Sequence, residues 1–303
     1  MVLVFQQCST DPWDDKRKEE QDKIDRYVGS LRAQGYEVQE VNGIYFIHHG
    51  SNPTGDTLET DDYMIINFIG RDLDGNIYET NINALKDQWD KSELYEDYVF
   101  APLKLKFGHS IPGINVGIGM MNEGDSAQLI IPSFQAFNDF RPLDYTIKLI
   151  KVIKDPLEYD SLQLDNCLTK EGINDSAFYY KDYGIYFKHE GDSIDEWEAN
   201  DTLMVNYEAY FLQENEYVTF ESTEGATGEF YVSQMDMEFD GMIELTNGMI
   251  QAFNLMNVGS HATVVVPYTA GFGANGYKNS AFNYMVVPQY TSLIYKFNIV
   301  SKK

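Results

Sequence analysis

The chain has 303 residues, 43% of them hydrophobic and 23% charged, which is typical of a folded protein with room for about two domains. Its 48 acidic and 22 basic side chains give a net charge of −26. Such a surface repels the phosphates of nucleic acids and of anionic membranes, so we expect no nucleic-acid partner. With only two cysteines, Cys8 and Cys167, a small disulfide-stabilised fold is excluded as well.

The chain begins with an apolar stretch that ends in a cysteine, Met1-Val-Leu-Val-Phe-Gln-Gln-Cys8, and an acidic segment follows. This start resembles the end of a bacterial lipoprotein signal, where the cysteine becomes acylated. The resemblance implies a lipid at Cys8, a location in the bacterial cell envelope (periplasmic or surface-facing) and membrane contact through that lipid alone. The alternative is an ordinary N-terminus with a free thiol.

Two polar segments have the apolar spacing of an amphipathic helix. In the first, from Asp14 to about Gln34, Ile24, Val28 and Leu31 recur on one face, and Gly35 follows the predicted end. The second runs from about Pro156 to Glu171. The remaining sequence consists mostly of short β-branched and aromatic runs broken by Gly, Asn and Asp, which predict strands.

The sequence repeats itself once. Gly43-Ile-Tyr-Phe-Ile-His-His-Gly50 returns as Gly184-Ile-Tyr-Phe-Lys-His-Glu-Gly191, and Asp62–Phe68 returns as Asp201–Tyr207. A further set recurs 135 residues later: Gly113, Gly124, Pro132 and Phe137 become Gly248, Gly259, Pro267 and Phe272. We therefore predict an α+β protein with two copies of one domain. Residues 1–35 would form the tether and first helix, 36–153 the first domain, 154–183 a helical linker and 184–303 the second domain.

The two copies differ in one loop. Phe137 precedes Tyr145 by eight residues, whereas Phe272 precedes Tyr295 by 23. The first copy therefore has a loop about 15 residues shorter, and loops as long as that of the second copy are commonly functional.

The repeated unit resembles the FKBP-type peptidyl-prolyl isomerases. The spacing Pro-Gly-x3-Gly-x3-Met-x2-Gly-Asp occupies Pro112–Asp125, and an apolar strand, Ile-Pro132 and Ala-Phe137 follow. The second copy carries the pattern from Gly248 to Phe272. The resemblance covers about residues 41–153 and 184–301. It implies that each domain is a twisted antiparallel sheet wrapped around a short helix, with an aromatic pocket between them.

The resemblance also assigns the pocket positions. In the second copy they are Tyr207, Phe220, Glu221, Met249, Phe272, Val287 and Tyr295. In the first copy they are Phe68, Tyr78, Glu79, Ile114, Phe137 and Tyr145. Phe220, Met249, Phe272 and Tyr295 would form the walls, Tyr207 and Glu221 would orient the peptide, and Val287 would close the loop side.

Three positions depart from the family. The usual Trp of the pocket floor is Ile114 or Met249, the usual Asp is Glu79 or Glu221, and a Tyr that bonds the peptide carbonyl is Phe137 or Phe272. Because the first copy also has the shorter loop, the resemblance implies that its pocket is degenerate and that the second copy is the better candidate.

The implied activity is isomerisation of X-Pro bonds in proline-containing peptides or unfolded envelope proteins. Rotation of an amide crosses a barrier of ~18–20 kcal/mol, and the twisted amide is less polar than the planar one, so an apolar pocket favours it. This chemistry requires no metal, and we expect no cofactor. The alternatives are a non-catalytic binding or chaperone scaffold with decayed pockets, and a glycan-binding protein that exposes Trp13, Trp89 or Trp197 together.

Overall fold

The computed structural model describes residues 12–89, 98–173, 176–191, 194–198, 201–223, 228–232, 237–239, 246–279 and 284–303. Apart from residues 95–99, the chain divides into a first unit, 1–154, and a second unit, 155–303. Both consist of antiparallel strands and a few helices, the α+β class predicted from the repeat. The predicted acylation site, Cys8, lies outside the described residues. Among those residues, no helix is long and apolar enough to cross a membrane.

The first unit begins with the predicted amphipathic helix, and Gly35 follows it with a φ of +94°. The elements are α1 (Pro12–Ala33), β1 (Val38–Val41), β2 (Ile44–Gly50), β3 (Tyr63–Asp72), β4 (Ile77–Thr80), β5 (Leu103–Lys106), α2 (Pro112–Ile118), β6 (Ser126–Ile131) and β7 (Leu143–Ile153). The sheet has the strand order β1-β2-β6-β7-β3-β4, and β5 pairs with the half of β3 that β4 leaves free. Asp74-Gly75 forms the turn between β3 and β4, as the sequence predicts.

The short helix α2 packs closely against the inner face of this sheet. A β-carbon added at Gly113 would lie 2.3 Å from Cγ2 of Ile131, and one added at Gly117 would lie 2.3 Å from Cδ1 of Leu129. Both distances are far below van der Waals contact. These positions therefore require glycine because the helix lies directly on β6.

The long helix α1 covers the outer face of the same sheet. Ile24, Val28 and Leu31 are buried against Ile47 and Ile130 of β2 and β6. The helix is thus part of the first unit rather than of a separate tether, because its apolar stripe needs the sheet to cover it.

A buried carboxylate fixes the position of α1. Glu20 accepts hydrogen bonds from the backbone N–H of Ser133, at 2.6 Å, and from its hydroxyl, at 2.8 Å. Ser133 follows β6, so this carboxylate joins the helix to the end of the strand on which α2 also packs.

The second unit repeats this plan with a larger sheet. Its elements are α3 (Pro156–Glu171), β8 (Tyr179–Tyr180), β9 (Ile185–Glu190), β10 (Thr202–Gln213), β11 (Glu216–Ser222), β12 (Gly228–Val232), β13 (Met237–Phe239), α4 (Asn247–Phe253), β14 (His261–Val266), β15 (Tyr277–Asn279), β16 (Tyr284–Val287) and β17 (Leu293–Lys302). The strand order is β13-β12-β10-β17-β14-β9-β8, β11 pairs with β10, and β15 and β16 form a separate pair.

Helix α4 approaches this sheet as α2 approaches the first. A β-carbon at Gly248 would lie 2.3 Å from Cγ1 of Val266. Gly248 follows Gly113 by 135 residues, and Val266 follows Ile131 by the same number, so the close helix–strand contact is itself repeated.

Helix α3 packs on the outer face of the second sheet, where Cys167 and Leu168 contact Val265 and Ile294. Residues 154–183, predicted to be a linker, therefore contain a structural part of the second unit. Asp160 anchors the helix, because its buried carboxylate accepts 2.7 Å hydrogen bonds from the N–H and the hydroxyl of Ser292. Burial also raises the pKa of the Cys167 thiol to about 12.

The long loop of the second copy has secondary structure of its own, the β15–β16 pair. In the first copy the corresponding segment is a short turn in which Asn138 and Phe140 adopt positive φ angles of 56° and 64°. The shorter connection therefore reaches β7 through conformations that L-residues rarely adopt.

Candidate functional site

A β-bulge in each unit turns two consecutive side chains toward the inner face of the sheet. Ala209 pairs with Glu221 while its neighbour Tyr210 pairs with Thr219, so Phe220 is the extra residue. Phe220 and Glu221 are both buried, at 6% and 8% exposure. Because side chains alternate along a regular strand, only the bulge allows an aromatic ring and the adjacent carboxylate to share this face.

The first unit has the same bulge. Gly70 pairs with Glu79 and Arg71 with Ile77, which leaves Tyr78 as the extra residue. The bulge thus places Tyr78 and Glu79 as it places Phe220 and Glu221. The family resemblance assigns both pairs to the pocket, but the sequence alone does not reveal the bulge.

A small residue separates the carboxylate from the aromatic residue of the last strand in both units. Ala209 lies between Glu221 and Tyr295 across the sheet, and Gly70 lies between Glu79 and Tyr145. A β-carbon at Gly70 would be 3.0 Å from the rings of both Tyr78 and Tyr145. The small residue therefore leaves the space that these rings occupy.

In the first unit the candidate pocket is filled by its own side chains. Phe68, Ile114 and Tyr145 belong to the buried core, and Tyr78 packs edge-on against Tyr145 with ring centroids 5.9 Å apart. The Tyr145 hydroxyl donates a 2.8 Å hydrogen bond to Oε2 of Glu79. Burial raises the pKa of Glu79, and this hydrogen bond opposes the rise.

The raised pKa of Glu79 predicts that the first unit loses stability as pH rises. A carboxyl whose pKa is higher in the folded than in the unfolded state stabilises fully below its unfolded pKa, and that contribution disappears as pH rises through the folded value. We expect Glu79→Gln to flatten this part of the pH dependence, measured as urea midpoints of the first unit from pH 4 upward. Asp144, whose pKa burial also raises, retains its own contribution in the variant.

An unchanged slope in Glu79→Gln would show that Glu79 does not titrate in this range. Exposed Asp22→Asn is a suitable control, because the structure gives that side chain no buried environment.

In the second unit the carboxylate is held by a different tyrosine. Tyr207 of β10 hydrogen-bonds to Glu221, and burial together with the nearby carboxylate raises the pKa of the Tyr207 hydroxyl. The first unit has Phe68 at the equivalent position, so its acid bonds to Tyr145 of the last strand instead. Tyr295, which takes that place in the second unit, packs edge-on against Phe220 at 6.3 Å, and burial raises its pKa.

The remaining predicted residues of the second unit lie on α4 and in the long loop. Met249 and Val287 are fully buried. The hydroxyl of Thr246 caps α4 by accepting a 3.3 Å hydrogen bond from the N–H of Met249. Phe272 is half-buried and stacks on Tyr277, with ring centroids 5.0 Å apart.

Phe137 stands apart from the other predicted residues. Its side chain is 60% exposed, so it does not line the aromatic cluster of the first unit. The short turn after β6 carries this ring to the surface, whereas Phe272 is held by the longer loop. Phe211 is not among the pocket positions that the resemblance assigns, yet its ring stacks on Phe220 with centroids 6.1 Å apart.

The positions of the tryptophans do not support the sugar-binding alternative. Trp89 is buried, and the half-buried Trp197 donates its indole N–H to the carbonyl of Met256 at 2.7 Å, so these two do not form an exposed sugar-binding surface. Within the described part of the chain, no group of three or more His, Cys, Asp or Glu side chains could hold a metal ion.

A comparison with known protein families matches part of the second unit. Residues 195–300 match the profile described as FKBP-type peptidyl-prolyl cis-trans isomerase. No curated protein matches the chain.

Several solved structures are similar to parts of the chain. A peptidyl-prolyl cis-trans isomerase from Pseudomonas syringae pv. tomato is 21% identical over 48% of this chain and 99% of its own, with a TM-score of 0.35. FkpA from Escherichia coli is 16% identical over 46% of this chain and 63% of its own, with a TM-score of 0.34. The three FKBP domains of wheat FKBP73 are 14% identical over 88% of this chain and 99% of their own, with a TM-score of 0.31.

Proposed function

We propose that the second unit, whose residues 195–300 match the family model of FKBP-type peptidyl-prolyl cis-trans isomerases, isomerises X-Pro bonds of peptides and unfolded proteins. The observation that carries the proposal is the bulge at Phe220, which sets an aromatic ring and the carboxylate of Glu221 side by side next to Tyr295.

These groups suit the chemistry of amide rotation. The twisted amide has lost its conjugation and is less polar than the planar substrate, so apolar rings bind it better than water does. Phe220, Met249 and Tyr295 supply such a lining. Glu221, held by the hydroxyl of Tyr207, supplies one fixed polar group that orients the peptide. No covalent intermediate is needed.

The first unit is proposed to be a non-catalytic copy. In place of the long loop, whose β15–β16 pair carries Val287 in the second unit, it has only a short turn. Phe137 lies outside the aromatic cluster of this unit.

We further propose, from the apolar start of the sequence alone, a bacterial envelope location through a lipid at Cys8. Mass spectrometry of the N-terminal peptide would test this proposal.

An isomerisation assay on short X-Pro peptides tests the activity. We expect the full chain to accelerate isomerisation and Phe220→Ala to reduce kcat/KM about tenfold or more, because a wall of the pocket is removed. The matched control is Tyr78→Ala, which makes the same kind of change at the bulge of the first unit and should leave the rate unchanged.

Phe220→Leu, which retains much of the side-chain volume, guards against loss of folding in the alanine variant. Equal rates for the Phe220 and Tyr78 variants, both shown to be folded by circular dichroism, would place the activity elsewhere. Absence of acceleration by the unmodified chain on several peptides would exclude the proposal.

A second prediction concerns the hydroxyl that is usual at the position of Phe272. We expect Phe272→Tyr to raise kcat/KM by about fivefold, the equivalent of one hydrogen bond of about 1 kcal/mol to the peptide carbonyl. Phe137→Tyr in the first unit is the control and should give no gain. A folded Phe272→Tyr variant with unchanged kcat/KM would show that this hydroxyl does not limit the activity.

A further inference from the structure

The outer face of the second sheet carries a groove that the proposed isomerase site does not use. It is open to solvent, has a volume of about 350 Å³ and lies beyond the C-terminal end of α3. We call it the polar groove, and its side chains include Glu190, Asn206, Glu208, His261, Lys296 and Asn298.

The polar groove begins where the helix stops covering the sheet. Under α3 the outward residues of the strands are apolar, as Leu212, Val265 and Ile294 show. Beyond Glu171, the last residue of α3, the outward positions of the same strands become polar, for example Asn206 and Glu208 on β10. The groove crosses β9, β14, β17, β10 and β11, which are adjacent in the sheet.

The centre of the polar groove contains a buried hydrogen-bond acceptor without a partner in the described part of the chain. Oδ1 of Asn206 is buried and accepts no hydrogen bond from any described residue. Asn298 is its direct cross-strand partner, and His261 pairs with Asn298 on the next strand. A buried acceptor without a donor is costly, so an occupant that brings N–H groups would be favoured here.

The charge of the polar groove is also negative. Glu190 and Glu208 contribute two carboxylates; Glu190 pairs with Lys188 at 3.2 Å, and Glu208 accepts a hydrogen bond from the hydroxyl of Tyr210. Among the lining side chains, Lys296 lies opposite Glu208 on β17 and forms an ion pair with Glu171 at 3.3 Å. Two carboxylates against one lysine leave the lining acidic, and the net charge of −26 on the whole chain also favours a cationic ligand.

We propose that the polar groove binds a basic polypeptide segment, whose guanidinium or ammonium groups donate to Asn206 and pair with Glu208. Guanidinium offers five N–H donors and a permanent charge, which match the acceptors and the carboxylates found there. The site lies on the outer face of the sheet, opposite the inward-facing Phe220 and Glu221, and requires no proline in its ligand.

Fluorescence anisotropy with a labelled, end-capped Gly-Arg-Gly-Arg-Gly-Arg peptide tests this proposal at physiological salt. We expect saturable binding by the full chain and about tenfold weaker binding by Glu208→Lys, with Asn206→Leu also weaker by severalfold. The control is Glu216→Lys, which makes the same charge change at the opposite, exposed end of β11 and should alter the affinity less than twofold.

Three results would overturn the proposal: no saturable binding, equal weakening by Glu208→Lys and Glu216→Lys, or unchanged binding by a folded Asn206→Leu variant. Equal weakening by the two lysine variants would mean that only the overall charge attracts the peptide. Because the peptide has no proline, Phe220→Ala should bind it normally, so failure of this proposal and failure of the isomerase proposal can be distinguished.

Discussion

Replacing Asp160 by alanine is expected to lower the free energy of unfolding of the second unit by about 3 kcal/mol or more. The substitution removes a buried carboxylate that accepts two 2.7 Å hydrogen bonds, and it leaves the N–H of Ser292 without its acceptor. Hydrogen bonds to charged groups are worth about 1.5–3 kcal/mol each, and a buried donor left unsatisfied adds its own cost. Hydrogen exchange followed in β17 and in β7 would assign the loss to the second unit.

The control for this prediction is Asp165→Ala on the exposed side of the same helix, which should change stability by no more than about 0.5 kcal/mol. If the two variants were equally stable, the hydrogen bonds of Asp160 would not anchor α3. Loss of protection in β7 rather than β17 would likewise contradict the assignment.

The two anchoring carboxylates show what the repeat does not preserve. Glu20 bonds to Ser133 after β6, whereas Asp160 bonds to Ser292 before β17. Each carboxylate bonds to the N–H and the hydroxyl of a serine. However, Ser133 lies at the start of the connection from β6 to β7, whereas Ser292 lies at the end of the connection from β14 to β17. The requirement that is common to both units is to fix a covering helix on the outer face, and each copy meets it with its own residues.

Much of the fold could be predicted from local sequence patterns. The helix spacing of Ile24, Val28 and Leu31 and the turn at Asp74-Gly75 depend on neighbouring residues, and both appear as predicted. The glycines spaced by 135 residues were also informative. For Gly113 and Gly248 the reason is visible only with the partner strands, where Ile131 and Val266 show the same spacing and leave no room for a β-carbon.

The features of the candidate site that sequence reasoning missed depend on pairing across the sheet. The bulge at Phe220 exists because of how β11 pairs with β10, and one strand alone does not reveal it. Glu221 bonds to Tyr207 in the second unit, whereas Glu79 bonds to Tyr145 in the first. This difference also depends on which strands are neighbours. The exposure of Phe137 follows from the shape of a short turn, which the spacing to Tyr145 indicates only as a missing loop.

The close packing of α2 leads to the second large effect. We expect Gly113→Ala to destabilise the first unit by about 2–3 kcal/mol, because the new methyl group would lie 2.3 Å from Cγ2 of the fully buried, β-branched Ile131. Either the helix must move away from β6 or Ile131 must leave its preferred rotamer. Urea denaturation, with hydrogen exchange in β6 as the local readout, would measure the loss.

Gly29→Ala makes the same substitution where the physics predicts the opposite sign. Gly29 lies on the exposed side of α1, with no atom within 4 Å of an added β-carbon. Alanine there should stabilise the first unit by about 0.5–1 kcal/mol, since it restricts the unfolded chain and favours the helix. If Gly113→Ala stabilised the unit as Gly29→Ala does, α2 would not lie against β6 as closely as the structure shows. Opposite signs from one chemical change would establish that the repeated glycine exists for contact with the sheet, the same contact that places Ile114 and, in the second unit, Met249.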